Sequence, residues 1–548
     1  MRRHEGLRPR QTRIVATLGQ CKDGDWPPFL QRLCDAGADV FRLNLSHADA
    51  DYAKERAILR WCNTPTAAEE PPRVAVVVDL QGPKARIGRL PDAGIDLVVG
   101  DPLWLAVEGA AAPVAPTGVQ DGAQVPVPEP LASSMFTGLA ALLCRHPGVR
   151  PLVLFGDGDI AVEILHAGPD GARGTVVAGG RLGSRKGVTV REIDLDLDPF
   201  PARDQRDLRF CLDEGVDFVA VSFVRTAADL ERVRQFIRTH LPADRPEPKL
   251  IAKIETLAAL ENLDSVLAAA DGVMVARGDL GLQLGVEEVP YVQKRLVHAA
   301  RRDGKAVIVA TQMLESMITA PQPTRAEATD VFNAIVDGGD AVMLSGETSI
   351  GTRPVQVVET MDRIARKAEA FAIQPGAPQR ERRLPRTEEV AVHGPGGHLQ
   401  RINEMFAVMA VQFAGQLRAR AIVCFTRTGR TPERLSRHRP AEPILAFCPT
   451  AAVARQLLLY SGVHPVVLPD FDADKQKLAV MVTSARRILH ERYGMQDGDA
   501  IVVTAGIGWP RGGTNAIQVL IEDHGAVREV DVGLGAGPAA IGATKVSR

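Results

Sequence analysis

Little in this chain of 548 residues would tie it to a membrane, a nucleic acid or a disulfide framework. The longest uninterrupted apolar runs, such as Val74 to Val78, stop far short of the roughly 18 residues that a spanning helix needs, so no bilayer crossing is expected. Charge of one sign is also missing. The 65 basic and 67 acidic residues interleave to a formal -2, without the basic footprint of a nucleic-acid binder, and the expected partners are small molecules or copies of the chain itself. Seven scattered cysteines form no C-x-x-C pair, so neither a disulfide framework nor a zinc site is supported. The basic stretch Met1 to Gln11 has no apolar segment after it, which points to a cytoplasmic protein rather than a secreted one. Lysine is scarce, twelve of the 65 basic residues, so each lysine inside a motif stands out.

What is present is a series of eight short β-branched or apolar runs: Arg13–Leu18, Val40–Leu45, Val74–Leu80, Phe218–Phe223, Leu250–Glu255, Gly272–Ala276, Ala306–Thr311 and Ala341–Leu344. They read as buried parallel strands. Amphipathic stretches such as Asp204–Asp213, Ala227–His240 and Val289–Arg302 lie between them, some closed by a glycine (Gly215, Gly304) as helix C-caps require. Eight such units predict an α/β fold, a (β/α)8 TIM barrel.

The spacing breaks once, after the third strand. About a hundred residues rich in Gly, Pro and Val predict an inserted β-rich lid domain at 88–188, rising from the face where barrel active sites are built. The barrel would then comprise 1–87 and 189–373, and a Pro/Gly/Arg/Glu-dense linker 374–400 would lead to a C-terminal open α/β domain at 401–548. Its Gly/Ala-rich tail from Gly533 is expected to be poorly ordered.

Polar residues follow nearly every barrel strand. Arg42, Asn44 and Ser46 share one face of the second strand by its two-residue period, Asp79 ends the third, and Lys253 and Glu255 alternate on the fifth. Arg277 and Asp279 follow the sixth, Thr311 the seventh and Ser345 the eighth. One such residue is ordinarily a cap or an ion pair; six of eight strands ending this way at one rim mark an active site. Glu255 and Asp279 suit Mg²⁺ or Mn²⁺, which take one or two protein carboxylates and complete their shell with substrate oxygens and water. A salt bridge from them to Lys253 or Arg277 stays open at this stage. With Lys253 and Arg42 the rim has a positive centre suited to metal-assisted phosphoryl chemistry.

RIVATLG at Arg13–Gly19, RLNLSH at Arg42–His47, DLQGPKAR at Asp79–Arg86, KIE at Lys253–Glu255, MVARGDLG at Met274–Gly281, TQMLESM at Thr311–Met317, PTRAE at Pro323–Glu327 and MLSGET at Met343–Thr348 together resemble the pyruvate kinase family over almost the whole chain. The resemblance implies transfer of the phosphoryl group of phosphoenolpyruvate to ADP, giving pyruvate and ATP, the last step of glycolysis. It further implies that Lys253 faces the phosphoryl group and Arg42 binds phosphate. Glu255 and Asp279 would hold Mg²⁺ or Mn²⁺, and the N–H groups around Gly278 and Asp279, with Thr311, would receive the substrate carboxylate. Thr311 and Ser345 lie where the enolate is protonated. His47, Arg86, Asp157 and Lys186 match nucleotide-side positions. Two rival readings are a metal-dependent carbon–carbon lyase on an enolpyruvate-type substrate and a non-catalytic phosphometabolite sensor.

Several positions depart from the family pattern. Gly156 stands for the first of two lid aspartates, Thr189-Val190-Arg191 for Asn-Leu-Pro, and Ala48 for a glycine. The monovalent-cation pocket of many members would fall on Asn44, Ser46, Asp79 and the carbonyl of Leu80, with a glutamate at the position of Lys84. The lysine there implies that K⁺ is not required, unless Lys84 merely pairs with a carboxylate. In the C-terminal domain, Thr426-Arg427-Thr428-Gly429-Arg430-Thr431 opens a helix expected at Pro432 and forms a phosphate cradle or an ordinary capping turn. By the resemblance it binds a phosphorylated allosteric effector together with Gly508–Asn515, in a homotetramer.

Overall fold

A computed structural model describes residues 9–21, 24–49, 51–64, 72–91, 94–109, 122–372, 397–468, 478–505, 516–523 and 526–530. The loop Gly508–Asn515, the tail from Gly533 and nearly all of the expected linker lie outside the described residues.

Eight parallel strands close into a barrel: β1 (Arg13–Thr17), β2 (Val40–Asn44), β3 (Ala75–Asp79), β4 (Phe218–Val221), β5 (Lys249–Ile254), β6 (Gly272–Ala276), β7 (Ala306–Ala310) and β8 (Ala341–Leu344). Neighbours in the ring are neighbours in sequence all the way round, with β1 pairing β8 through Arg13↔Ala341 to Ala16↔Leu344. The runs are continuous rather than alternating because both faces are covered. One set of side chains (Val15, Val40, Val77, Ile251, Met274, Ile308) fills the barrel. The other (Ile14, Phe41, Val76, Leu250, Val273, Val307) packs against the surrounding helices. Gly215, at φ 87°, ends the helix Ala202–Glu214 in a conformation that favours glycine.

The insertion after β3 contains a six-stranded sheet in the order Val188–Val190, Leu152–Phe155, Ile160–Gly168, Gly171–Ala178, Pro102–Val107, Ala123–Val127, with its own core. Its last strand continues to Val190, two residues beyond the expected boundary. The insertion also contains a 15-residue helix, Leu131–Arg145, in a region read as poor in helical periodicity. Leu131, Met135 and Leu139 form its buried stripe, which the surrounding Gly and Pro residues mask in the sequence.

The C-terminal domain is a six-stranded sheet in the order Val463–Val467, Ile444–Cys448, Ala421–Phe425, Ala500–Ala505, Ala516–Asp523, Ala526–Val530, the last two strands antiparallel. Its first helix, Gly397–Leu417, begins inside the segment read as linker. This domain sits under the barrel: Ile422, Leu435, Leu457 and Tyr460 belong to the same cluster as the barrel-filling side chains. The opposite mouth is left to the insertion.

Candidate active site

The polar side chains at the open mouth form a connected network. Arg42 is nearly buried; its Nε donates to Asp79 Oδ2 at 2.7 Å and its Nη1 to Thr17 Oγ1 at 3.0 Å, which fixes the plane of the guanidinium. The Lys253 ammonium lies 3.2 Å from Asp79 Oδ1 and 2.9 Å from Glu255 Oε1, and donates to Ser222 Oγ at 2.7 Å. Ser222 in turn donates to the Leu80 carbonyl at 2.7 Å. Burial alone would lower the pKa of Lys253, but Asp79 and Glu255 outweigh it and hold the ammonium well above its ordinary range. Asp79 is held down, because Lys253 and Arg42 overcome the effect of its burial.

Glu255 differs. Burial raises its pKa, with Asp279 adding to the rise and Lys253 opposing it. Oε2 accepts from the Phe223 N–H at 2.8 Å, whereas Oε1 faces Lys253 but takes no well-directed hydrogen bond among the described residues. Such a buried carboxylate oxygen, with Asp279 close enough to raise its pKa, suits a hard divalent cation. The salt-bridge alternative therefore divides: Glu255 does face Lys253, while Arg277 pairs with Asp330 at 2.7 Å and leaves Asp279 alone. Asp279 does not come from a strand. It lies in the first turn of the helix Arg277–Leu284. No group of three or more His, Cys, Asp or Glu suited to a metal occurs among the described residues, so any cation here has two protein carboxylates and must complete its shell from outside.

Three of the eight left-handed non-glycine residues among the described residues lie at the same mouth. Phe223 (φ 53°), Thr311 (φ 68°) and Gln312 (φ 52°) are non-glycine residues in the left-handed region, at about 1–3 kcal/mol each. Thr311 Oγ1 accepts from the Gly278 N–H at 2.9 Å and donates to the Ala310 carbonyl at 2.6 Å, joining the β7 loop to the helix start. Ser345 donates its N–H to Glu347 Oε2 at 2.6 Å, and Glu347 Oε1 accepts from Leu314 at 3.0 Å. Ser222, Thr17 and Glu347, all buried, are the members sequence reasoning missed. A lone serine or threonine beside a strand carries no signal, although Glu347 stands in the quoted MLSGET string.

Asn44 Oδ1 accepts from Ser46 N–H at 3.2 Å beside Asp79, and Leu80 presents its carbonyl to Ser222. Lys84 is exposed and no described carboxylate pairs with it; it and Lys54 are among the cations that add to burial in lowering the pKa of His47. Arg86 and Lys186 approach through the bridge Arg86↔Gly187, with Arg86 Nη1 donating to the Arg185 carbonyl at 3.0 Å. Asp157, exposed at a lid turn, acts electrostatically on Glu315 of the β7 loop. The mouth thus collects the rim residues and the lid-borne ones.

The set Thr426 to Thr431 lies apart, in the C-terminal domain. Thr426 Oγ1 accepts from Gly429 N–H at 2.9 Å, and Gly429 (φ 88°) precedes the helix Arg430–Arg437, which starts two residues before the expected Pro432.

Comparison with known proteins agrees with this layout. The family profile described as "Pyruvate kinase, barrel domain" matches residues 9–358, and "Pyruvate kinase, alpha/beta domain" matches residues 404–520. Pyruvate kinase 2 of Synechocystis is 38% identical over 537 residues, 96% of this chain and 82% of that protein. The pyruvate kinase of Methylorubrum extorquens is 37% identical over 93% of this chain and 97% of its own length. Among solved structures, a pyruvate kinase from Cryptosporidium parvum superposes with a TM-score of 0.77 at 29% identity, covering 93% of this chain and 96% of that one.

Proposed function

Because the chain belongs to the pyruvate kinase family, whose reaction turns phosphoenolpyruvate into pyruvate, we propose that it is a phosphotransferase that moves the phosphoryl group to ADP at the barrel mouth. The observation that carries this is the Lys253 ammonium, held between Asp79, Glu255 and Ser222, with Asp279 close enough to Glu255 to raise its pKa. A transferring phosphoryl group needs preorganised positive charge, and both the ammonium and the Arg42 guanidinium are fixed before substrate arrives. Glu255 and Asp279 would hold Mg²⁺ or Mn²⁺, which supplies Lewis-acid stabilisation of phosphoryl and enolate oxygens when bound. Gly278 N–H, now on Thr311 Oγ1, would turn to the substrate carboxylate with Asp279 N–H, freeing the hydroxyl of Thr311. Thr311 and Ser345 then flank the carbon that receives a proton through water. His47, Arg86, Asp157 and Lys186 would meet the nucleotide, and the lid would exclude water that otherwise takes the phosphoryl group.

Lys84 would replace K⁺. Support comes from its lack of a carboxylate partner among the described residues and from the existing claims of Arg42, Lys253 and Ser222 on Asp79 and the Leu80 carbonyl. The turn Thr426–Thr431 would take the phosphate of a sugar phosphate or nucleotide that activates the enzyme, the glycine and helix start supplying N–H groups. Exposed Val286 and Tyr291 suit a subunit contact in a homotetramer, and the seven free cysteines suit the reducing cytoplasm.

A coupled assay of pyruvate formation, with and without ADP and Mg²⁺, tests the activity. Formation that depends on both supports it. Aldol-type cleavage without ADP would support the lyase instead, and binding without turnover a sensor.

A further inference from the structure

The second crossing between insertion and barrel, residues 191–197, has no regular secondary structure, yet it is bonded to the helix that carries Asp279 and to the short helix that follows Glu255, the two carboxylates proposed to hold the divalent cation. Asp194 Oδ1 accepts from Leu257 N–H at 3.2 Å and Oδ2 from Ala258 N–H at 2.6 Å. These are the first two N–H groups of the helix Leu257–Glu261, which begins two residues after Glu255; the third, Ala259 N–H, goes to the N-cap Thr256 at 3.1 Å. Of the first three N–H groups of this short helix, one is thus satisfied from within and two by a carboxylate from the crossing.

The other neighbour of Glu255 is held from the same segment. Phe223, which donates to Glu255 Oε2, lies two residues before Arg225. Arg225 reaches the carbonyls of Leu195 (3.3 Å) and Leu197 (3.2 Å) and Asp196 Oδ1 (2.9 Å). Thr256 Oγ1 ties the two loops together by donating to the Val224 carbonyl at 2.8 Å. On the Asp279 side, Glu192 N–H donates to the Gln283 carbonyl, 3.3 Å away in the helix Arg277–Leu284. Towards the insertion, Asp196 N–H donates to Ser134 Oγ on the helix Leu131–Arg145 at 2.7 Å, and Ile193 fits so closely over Gly138 that an added Cβ would come within 2.9 Å of it.

We propose that Asp194 is a positioning residue that couples the seating of the lid to the placement of Glu255. A shift of the insertion moves Asp196 and Ile193 through Ser134 and Gly138; Asp194, on the same short segment, then pulls on the start of the helix beside Glu255. The carboxylate is suited to this because it holds two adjacent N–H groups at once, whereas a hydroxyl would hold one. The inference rests on the reading of Glu255 as a metal ligand, and the experiment separates the two.

Mn²⁺ binding by the nucleotide-free enzyme is measured from the free-ion EPR signal, and hydrogen exchange of the Val188–Val190 amides is followed with and without ADP. Glu255→Gln should lose Mn²⁺ affinity by tenfold or more; if it retains it, the metal reading falls and this inference with it. Asp194→Ala should weaken Mn²⁺ binding about fivefold, ~1 kcal/mol at 1.4 kcal/mol per decade, the typical worth of a helix cap. It should also lose the ADP-dependent protection of the lid amides, whereas Asp194→Asn, which keeps an acceptor, should restore most of both. Thr256→Ala removes the barrel-side cap and should keep the lid protection. An Asp194→Ala enzyme with unchanged Mn²⁺ affinity and lid protection, or one indistinguishable from Thr256→Ala, overturns the coupling whatever its melting temperature. Should the alanine variant not fold, Asp194→Ser carries the same two readouts.

Discussion

One strand carries two lysines with different surroundings. Lys249 and Lys253 lie four residues apart on β5, on the same face by its two-residue period, one at the floor of the barrel and one at its mouth. At the floor, Lys249 donates to Glu433 and to Tyr460 Oη, both from the C-terminal domain. The floor carboxylates around it are filled. Asp39 accepts from Arg13, Arg10 and Ile14 N–H, Asp217 from Arg455 and Val76 N–H, and Asp340 from Ser461 N–H, Val307 N–H and Arg439. At the mouth, Lys253 shares Asp79 with Arg42 and faces Glu255 Oε1 at 2.9 Å, an oxygen that takes no backbone N–H among the described residues, and Phe223 beside it is left-handed. Both lysines are buried ammoniums pushed upward by their partners. Buried charge therefore does not identify an active site. What distinguishes the mouth is a second carboxylate, Asp279, close enough to Glu255 to raise its pKa, whereas each floor carboxylate is paired with its own arginine or lysine.

The largest expected effect tests this contrast directly. Lys253→Met should lower kcat by roughly 10³-fold, the scale of removing one key transition-state charge, while the protein still folds. Near-normal turnover would undo the assignment. Lys249→Met should behave in the opposite way, losing roughly 3 kcal/mol of stability in urea unfolding because Glu433 is left without its cation, with kcat changed by less than about threefold. A large kcat loss from that variant would mean that the floor takes part in catalysis.

The proposed replacement of K⁺ gives a smaller signal. With a bulky quaternary ammonium as the only monovalent cation at fixed ionic strength, turnover should hold to within about tenfold, ~1.4 kcal/mol of barrier. Lys84→Glu should create a K⁺ requirement; wild-type activity that collapses and returns with K⁺ would reject the idea. Smaller again is the regulatory effect. A sugar phosphate or nucleoside monophosphate should shift half-saturation by phosphoenolpyruvate about fivefold, and Thr428→Glu should remove the shift. If no such compound acts and the variant is silent, the turn at Thr426–Thr431 is only a cap.

The smallest effect concerns pH. Beneath the mouth, Asp204 accepts from the Gly82 N–H at 2.8 Å, and burial pushes its pKa up to about 6. Its folded value then lies above the unfolded value of about 3.9, so the native state binds the extra proton, and stability falls as pH rises from about 4 to about 6. Asp39 at the floor has the opposite slope: Arg10 and Arg13 overcome its burial and lower its pKa, so stability is lost as pH falls through its folded value. Asp204→Asn should flatten the decline between about pH 4 and 6 by about 1 kcal/mol, read from melting temperatures. An unchanged profile would show that Asp204 does not carry this proton.

The barrel was legible because its strands are continuous apolar runs between amphipathic helices, and only burial on both faces selects such runs. β6 and β8 occupy Gly272–Ala276 and Ala341–Leu344, as the pattern implies, while others differ by a residue or more at an end, where chain direction changes before composition does. The helix Leu131–Arg145 escaped notice because its apolar stripe sits among glycines and prolines, and the edge strand Ala526–Val530 because it is short and half polar. At the site, Lys253, Glu255, Asp79 and Arg42 were legible through their strand positions. Ser222 and Thr17 were not, since a small hydroxyl gains meaning only from what it faces.

The sequence by itself determined the period of each element, the order of the βα units, the place of the insertion and the residue types at each strand end, because these depend on near neighbours along the chain. Tertiary structure decided which charges meet. Asp279 reaches Glu255 from a helix turn rather than a strand, and Arg277 turns away to Asp330. Lys249 and Lys253 meet different partners on one strand, and Asp194 from the lid crossing accepts from the helix beside Glu255. These pairings join residues tens to hundreds of positions apart, and their strength depends on burial and angle, which exist only once the barrel has closed.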